Sequence, residues 1–238
     1  MSNNIRKNCK DIWNAFMVKD ATFSDHDIPL CPTTATQPPS SIVSYAEAKT
    51  IYKRRIRDDK NFYHPAYIHF YIDDQVFDGK RSSIWLYPQQ AYKVLKHFEG
   101  IIAPDFSTYL DFPYFLKGFN YYRMNAFGYW YGSLCGKKVI VNARWDYKKS
   151  FDYCFDGIKE GDMIAIGTVA SELRKTINHE RFEFGLRQLV NTKHPKTLIV
   201  VGTINVPIFK ELSKTNIEII HFRSTTDLNL EAYRNVKR

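Results

Sequence analysis

The sequence predicts an α/β fold built on a mostly parallel β-sheet with alternating helices. Short apolar runs recur along the 238 residues, and each run ends on small or polar residues. Helix-like segments separate most of the runs, an alternation that is typical of parallel sheets. Several runs, such as LIVV, are apolar at consecutive positions, which indicates strands covered on both faces. The six runs occupy residues 68–74, 101–107, 139–145, 163–168, 198–203 and 217–224.

Two architectures fit this alternation. One is an open, doubly wound sheet, and the other is a partial (β/α) barrel. Six units in 238 residues fall short of the eight units and roughly 250 residues of a complete barrel. In either architecture, right-handed crossovers bring the carboxyl ends of the strands to one edge of the sheet, where parallel sheets gather their functional groups.

The segments before the first run are predicted to form a helix, an irregular arm and a second helix. Residues 1–20 carry apolar side chains at helical spacing. Prolines and a Ser/Thr-rich stretch disfavour regular structure over residues 21–44, which indicates an arm lying on the core. Residues 44–58 predict a helix with a capping box, in which Ser44 is the N-cap and Glu47 follows three residues on.

These segments suggest a division of the chain. Residues 1–60 would pack on an α/β domain over residues 61–238, and the two would form one structural unit. Within the larger part, residues 75–88 carry Gly and Pro and are interpreted as a loop. The last residues, 230–238, are interpreted as a short basic helix or a frayed tail.

A long central helix is predicted from about Pro113 to Leu134, with Asp111 as its N-cap. Apolar residues at helical spacing predict its buried face: Phe115, Phe119, Tyr122, Ala126, Tyr129 and Trp130. Three glycines in the helix weaken it by about 1 kcal/mol each relative to alanine, and they indicate close packing on the sheet: Gly118, Gly128 and Gly132.

Composition narrows the class of partner. The formal net charge is +9, and a positive excess attracts polyanions, which makes nucleic acid or a phosphate-containing small molecule the expected partner. The alternative is a soluble protein with scattered lysines. No stretch reaches the roughly 18 apolar residues of a membrane helix, and no secretory signal is visible, so we expect a cytoplasmic protein. Four widely spaced cysteines argue against a zinc ribbon and a disulfide scaffold.

Acidic residues end the first two runs. Asp73 and Asp74 follow the first run, and Asp105 and Ser107 end the second. If the two strands are neighbours, these carboxylates share one rim, where they could bind a divalent cation or exchange protons in catalysis. The alternative is that each aspartate caps the helix or turn that follows its strand.

The later strand ends offer ligand-binding candidates. At the end of the third run, Asn142 and Arg144 are expected on one face and Trp145 on the other. An arginine there could bind phosphate and a tryptophan could stack on a base, whereas the structural alternative pairs Arg144 with an aspartate and buries Trp145. Small residues that end the fourth and fifth runs could bind an anion through backbone N–H groups or could simply allow tight turns: Gly167, Thr168, Gly202 and Thr203.

The densest basic run lies at the end of the second predicted helix. It comprises Lys53, Arg54, Arg55 and Arg57, with Tyr45 and Tyr52 nearby. Basic residues among aromatic ones are typical of nucleic-acid surfaces, although such a run is more often a solvated helix face. The seven histidines show no HExxH or comparable spacing, so the sequence assigns no metal ligands among them.

Four segments stand out in combination: HFYIDD, IIAPDFSTYLDFP, GYWYGSLCGKKVIVNARW and FDYCFDGIKEGDMIAIGT. Together they resemble a protein family, the domain of unknown function 4417 of phages and other mobile elements, and the similarity covers about residues 60–205. The resemblance implies an accessory protein that acts in the cytoplasm of a host cell. It leaves three hypotheses: an anion or nucleotide site with metal-assisted phosphate chemistry, an accessory protein that binds nucleic acid or a host protein, and a protein that sequesters a nucleotide.

Overall fold

Seven parallel strands form one curled, half-barrel sheet. The computed structural model describes residues 11, 13–146, 148–169 and 176–224. The strands lie in the sheet in the same order as in the chain, so the strand order contains no reversal. The partial-barrel prediction is therefore confirmed, and the doubly wound alternative is wrong, because a doubly wound sheet needs such a reversal. The strands are β1 Ile42–Ser44, β2 His64–His69, β3 Phe98–Ile102, β4 Lys138–Asn142, β5 Ile164–Gly167, β6 Thr197–Val201 and β7 Glu218–Phe222.

Helices connect the strands, as the alternation predicts. They are α1 Tyr45–Arg55, α2 Asp74–Asp78, α3 Pro88–Leu95, α4 Tyr114–Tyr129, α5 Thr176–Lys193 and α6 Pro207–Leu212. The capping box of α1 is confirmed, since Ser44 Oγ accepts a hydrogen bond from the Glu47 N–H and the Glu47 carboxylate accepts one from the Ser44 N–H. The prediction of a loop over residues 75–88 is wrong at its start, where α2 forms.

The two faces of the sheet bury different sets of residues. Side chains on the outer face pack against the helices in the larger core, as Ile68 and Val141 do. Inward-facing side chains form a smaller cluster with a residue of the arm: Ala35, Tyr67, Tyr71, Ile102, Ile140, Ala165, Ile199 and Val201. Because alternate residues of a strand point to opposite faces, the continuous apolar runs cover both sides of the curled sheet.

The arm is tied to the sheet between β4 and β5. These strands pair at only two positions, Val141 with Ile164 and Asn142 with Ala165. Thr33 Oγ1 donates to the Met163 carbonyl at 2.7 Å and accepts from the Val141 N–H at 3.0 Å. The arm therefore satisfies backbone groups that the short ladder leaves open.

The first part of the chain contributes a strand that the sequence prediction missed. β1 lies within the residues assigned to the arm and pairs with β2 in parallel. A short 3-10 helix, Ala15–Val18, stands within the predicted helix over 1–20. Cys9 and the tail over 230–238 lie outside the described residues. The division into 1–60 and 61–238 stays a prediction.

The buried face of α4 matches the predicted stripe only toward the end of the helix, where Ala126 and Trp130 are buried. Phe115 is 86% exposed and Phe119 is 38% exposed, whereas Lys117 and Asn120 are buried. The prediction failed because each buried polar group has a partner: Lys117 Nζ lies 2.6 Å from an Asp146 carboxylate oxygen, and Asn120 Nδ2 donates to the Ser107 carbonyl. Satisfied polar groups can be buried, and exposed rings can then occupy the other side.

Other features of α4 were predicted in part. Pro113, not Asp111, stands at the N-cap, and the helix continues as a π-helical turn over Trp130–Leu134. A Cβ atom on Gly128 would lie 2.5 Å from Cys31 Sγ, and one on Gly132 would lie 2.5 Å from Val139 Cγ1. Close packing is thus confirmed at these two glycines, while a Cβ on Gly118 would meet no neighbour within 4 Å.

No helix among the described residues is long and apolar enough to cross a membrane. The described cysteines, Cys31, Cys135 and Cys154, are free thiols. Burial raises the pKa of the Cys154 thiol, which keeps it protonated and a weak nucleophile.

Candidate functional site

The carboxyl ends of the strands meet at one edge of the sheet, as the sequence predicts. The loop that follows β3 is fastened there by Asp74, at the start of α2. Ser107 donates twice to its carboxylate, from the backbone N–H at 3.0 Å and from Oγ at 2.8 Å. Burial raises the pKa of Asp74. The prediction that the ends of the first two runs share one rim is therefore confirmed for this pair.

A second set of polar contacts fastens the same loop to β4. Arg144 Nη1 lies 2.5 Å from Asp105 Oδ2, and Arg144 Nε donates to Thr108 Oγ1 at 3.0 Å. Asn142 Nδ2 donates to Asp105 Oδ1 at 3.0 Å, and Tyr71 Oη donates to Asn142 Oδ1 at 2.9 Å. The Arg144 and Asp105 side chains are 21% and 12% exposed. Burial acts to lower the pKa of Arg144, but the adjacent Asp105 charge outweighs it and the net shift is upward.

Asp73 and Trp145 lie outside this network. Asp73 is exposed and caps α2, accepting a hydrogen bond from the Gln75 N–H at 2.8 Å. Trp145 is half-buried and packs on Phe155 and Phe182, with ring centroids 6.0 and 5.4 Å away. These contacts match the structural alternatives, a helix cap for Asp73 and a core position for Trp145.

The Gly-Thr turns at the ends of β5 and β6 are packed against protein groups. The Tyr71 ring occupies the space that a side chain at Gly167 would need. Gly202 adopts a φ of +116°, and the Thr168 hydroxyl beside it donates to the Thr203 carbonyl at 3.0 Å. The positive φ and the close contacts account for both glycines. A role for these turns in anion binding stays a prediction.

The basic run lies at the opposite edge of the sheet. Helix α1 begins where β1 ends, so its last turn returns to the amino ends of the strands. Arg55 Nη1 donates to the carbonyl of Tyr63, the residue before β2, and its guanidinium lies 4.7 Å from the centroid of the Phe62 ring. Lys53, Arg54 and Arg57 are exposed. The fold therefore separates this run from Asp105 and Arg144.

A cleft that the sequence analysis missed opens next to the fastened loop. Its volume is about 460 Å³, and it combines basic side chains with aromatic rings. The lining residues are Leu110, Phe112, Tyr114, Lys117, Asp146, Lys149, Ser150, Tyr153 and Arg181. Lys117 is paired with Asp146 at 2.6 Å, and Lys149 and Arg181 add two further cations.

Exposed apolar side chains border this cleft. We call them the aromatic rim and define it as Tyr109, Leu110, Tyr114 and Phe115, which are 58%, 54%, 45% and 86% exposed. The rim occupies the loop and the first turn of α4. Contiguous exposed apolar side chains are typical of interaction surfaces. The sequence signal was the density of rings in TYLDFPYFLKGF, of which the helix prediction placed Phe115 and Phe119 on the buried face.

His69 is a further buried group at this edge. Its Nδ1 accepts a hydrogen bond from the Tyr71 N–H at 3.3 Å, and burial lowers its pKa to about 4. The ring is therefore neutral at pH 7. Over the described part of the chain, no three His, Cys, Asp or Glu residues are grouped so that they could hold a metal ion.

The fold and this edge define a class: an α/β half-barrel protein with a basic and aromatic cleft beside the carboxyl ends of its strands. The sequence profile of the family described as "Domain of unknown function (DUF4417)" matches residues 21–223. The chain belongs to this family.

Two curated relatives are phage proteins. The Gene 1 protein of Mycobacterium phage L5 is 32% identical over 138 residues, which cover 58% of this chain and 57% of the relative. The Gene 1 protein of Mycobacterium phage D29 is 31% identical over 151 residues, which cover 60% and 53%. The chain thus spans a little over half the length of these relatives. No solved structure matches the chain significantly.

Proposed function

We propose that the chain binds single-stranded nucleic acid in the cleft beside the aromatic rim. The observation that carries this function is the combination of basic side chains and exposed rings around one opening. Cations that follow a phosphate backbone, together with rings on which bases stack, are the usual means of binding single strands without sequence preference. A free nucleotide shares this chemistry, and the experiment below separates the two ligands.

The charges of the cleft support a phosphate ligand. The lining contains three cationic side chains, Lys117, Lys149 and Arg181, and one carboxylate, Asp146, so its formal charge is positive. The chain as a whole carries +9, which adds long-range attraction for a polyanion.

The rim supports a strand over a single nucleotide. Phe115 is almost fully exposed, and Tyr109 and Tyr114 are about half exposed, so rings extend beyond the cleft itself. Each stacked base contributes roughly 1–3 kcal/mol in comparable complexes. A strand of several bases would therefore cover apolar surface that one base leaves in water.

The strand-end carboxylates have a positioning role in this function. Asp105 accepts from Asn142 and Arg144, and Asp74 accepts twice from Ser107. These contacts hold the loop whose tip carries Tyr109 and Leu110. In this function Asp74 and Asp105 position the loop and take no part in metal-assisted phosphate chemistry.

Binding of a labelled oligothymidylate, followed by fluorescence anisotropy, tests this function. Lys149→Glu should weaken binding about tenfold and reduce the steepness of the salt dependence, because it removes a phosphate contact. Lys210→Glu makes the same charge change on α6 and should leave affinity nearly unchanged. A duplex of equal length should bind more weakly, since its bases cannot stack on the rim.

Three outcomes would overturn the single-strand function. The wild type could fail to bind the strand, Lys210→Glu could weaken binding as much as Lys149→Glu, or a free nucleotide could bind as tightly as the strand. The last result would favour a nucleotide-sequestering protein. The kinship with phage proteins supports a site of action in the cytoplasm of the host cell.

The exposed basic run favours a second candidate, nucleic-acid binding at the opposite edge. Lys53, Arg54 and Arg57 are exposed there and could contact phosphates without entering the cleft. Arg54→Glu with Lys53→Glu should abolish binding if this edge is the contact surface. If the cleft is the contact surface, the same double variant should reduce affinity only slightly, because it lowers the net positive charge of the protein.

A further inference from the structure

A second cavity, separate from the nucleic-acid cleft, lies on the helical side of the sheet. Its volume is about 220 Å³, and it opens between α1, residues 81–87 and α3. Two cationic side chains, Lys49 and Arg81, stand among its walls. The lining residues are Tyr45, Lys49, Arg81, Ser82, Ser83, Ile84, Tyr87, Gln90, Ala91 and Val94.

Lys49 is held at this cavity with donors to spare. Its Nζ donates to the Val76 carbonyl at 2.9 Å and lies 5.0 Å from the centroid of the Tyr45 ring. An ammonium group has three donors, and the Val76 carbonyl takes one of them. Burial and the neighbouring charge of Lys53 lower the pKa of Lys49, so an anion placed here would relieve an unfavourable environment.

The carboxylate behind the cavity wall is already neutralised. Asp78 accepts from Ser83 Oγ at 2.7 Å and pairs with Arg123 at 2.7 Å. In the part of the chain that the structure describes, no ion pair includes Lys49 or Arg81. The positive charge at the cavity is therefore not offset by these groups.

We propose that this cavity binds a small oxyanion, a phosphate group, between Lys49 and Arg81. Lys49, Arg81 and the neutral side-chain amide of Gln90 supply donors for phosphate oxygens from three walls of the cavity. The volume is below the roughly 300 Å³ at which pockets for larger organic ligands begin, so it suits a phosphate group and not a complete nucleotide. Inorganic phosphate and a phosphomonoester share this chemistry.

Thermal unfolding of the full chain in sodium phosphate, compared with sodium chloride at equal ionic strength, tests the site. A ligand that binds only the folded state raises Tm, so phosphate should raise the Tm of the wild type in a saturable way. Lys49→Met and Arg81→Gln should abolish this rise. Lys93→Met removes a lysine charge from α3 outside the cavity and should keep it.

Three results would overturn the oxyanion site. The Tm of the wild type could rise no more in phosphate than in chloride, both cavity variants could show the same rise in Tm as the wild type, or Lys93→Met could lose the rise. If Lys49→Met does not fold, Arg81→Gln decides, because Arg81 is exposed and changing it removes no core contact.

Two further arms complete the test. Lys149→Glu alters the nucleic-acid cleft and should keep the rise, which separates failure of this site from failure of the proposed function. Phenyl phosphate serves as the monoester probe. If phenyl phosphate raises Tm more than inorganic phosphate does, the ligand is a monoester. If it raises Tm less, the ligand is free phosphate.

Discussion

The two edges of the sheet carry charge in opposite ways. At the carboxyl edge, Asp105 and Arg144 form a half-buried pair with further hydrogen bonds to Asn142 and Thr108. At the amino edge, the basic run at the end of α1 is exposed to solvent. The basic run is the denser cluster of charge in the sequence, but in the fold it is more exposed to solvent than the pair of Asp105 and Arg144.

This contrast teaches that charge density in a sequence is a poor guide to energetic importance. An exposed charge is solvated and screened, and its removal changes stability little. A buried pair is different, because loss of one partner leaves the other charge uncompensated in a poorly solvated place.

Replacing Arg144 should have the largest effect on stability. Arg144→Met leaves Asp105 half-buried without its cation, and the expected loss in the free energy of unfolding is about 3 kcal/mol. Urea denaturation followed by circular dichroism measures it. Arg54→Met, the matched change at the amino edge, should cost less than about 0.5 kcal/mol. Equal losses in the two variants would contradict the contrast between the edges.

His69 should make the carboxyl edge sensitive to acid. Its pKa is lowered to about 4 in the folded protein, whereas an unfolded histidine has a pKa near 6.5. The unfolded state therefore takes up the proton first, and stability is lost as pH falls from about 6.5 to 4. The shift corresponds to about 3 kcal/mol at most. His69→Asn should flatten this part of the stability profile, and an unchanged slope would show that His69 is not its source.

Two glycines in α4 differ in how closely their surroundings pack. Gly128→Ala would press a methyl group against Cys31 and should destabilise the protein by about 1–3 kcal/mol. Gly118→Ala meets no neighbour and should stabilise the helix by up to about 1 kcal/mol. Thermal unfolding should show a lower Tm for Gly128→Ala and a higher Tm for Gly118→Ala than for the wild type. A loss of stability in Gly118→Ala as large as that in Gly128→Ala would contradict the packing described here.

The smallest effect on stability is expected at the aromatic rim. Phe115→Ala removes a ring that is 86% exposed, so the free energy of unfolding should change by less than about 0.5 kcal/mol. Affinity for a single strand should nevertheless fall about tenfold through the lost stacking. Leu134→Ala changes an exposed apolar residue away from the cleft and is the control. A stability loss at Phe115 without any loss of affinity would assign the ring to packing.

The fold could be predicted well where burial alone decides the structure. The strands from β2 onward came from apolar runs, and the capping box of α1 came from local spacing. β1 was missed because its three residues lie in a Pro-rich stretch, and only pairing with β2 makes them a strand. The first half of the buried face of α4 was missed because Lys117 and Asn120 are buried through partners that lie outside the helix, Asp146 and Ser107.

Of the candidate site, only the residues at the strand ends could be predicted from the sequence. Parallel strands place their carboxyl ends together, so Asp105 and Arg144 could be brought to one edge from the sequence. The cleft could not be predicted, because the exposure of Phe115 follows from which side of α4 faces the sheet. Arg181 reaches the cleft from α5, a contact between segments far apart in the chain that no local pattern indicates.

Photocrosslinking identifies the surface of the protein that contacts a bound strand. A strand containing 5-bromouracil would be irradiated with the full chain, and the attached peptides would be mapped by mass spectrometry. We predict adducts on Tyr109, Tyr114 or Phe115, because bases stacked on the rim place the bromouracil against these rings. Adducts confined to the amino edge, near Tyr52 and Tyr63, would contradict the assignment of the cleft as the binding surface.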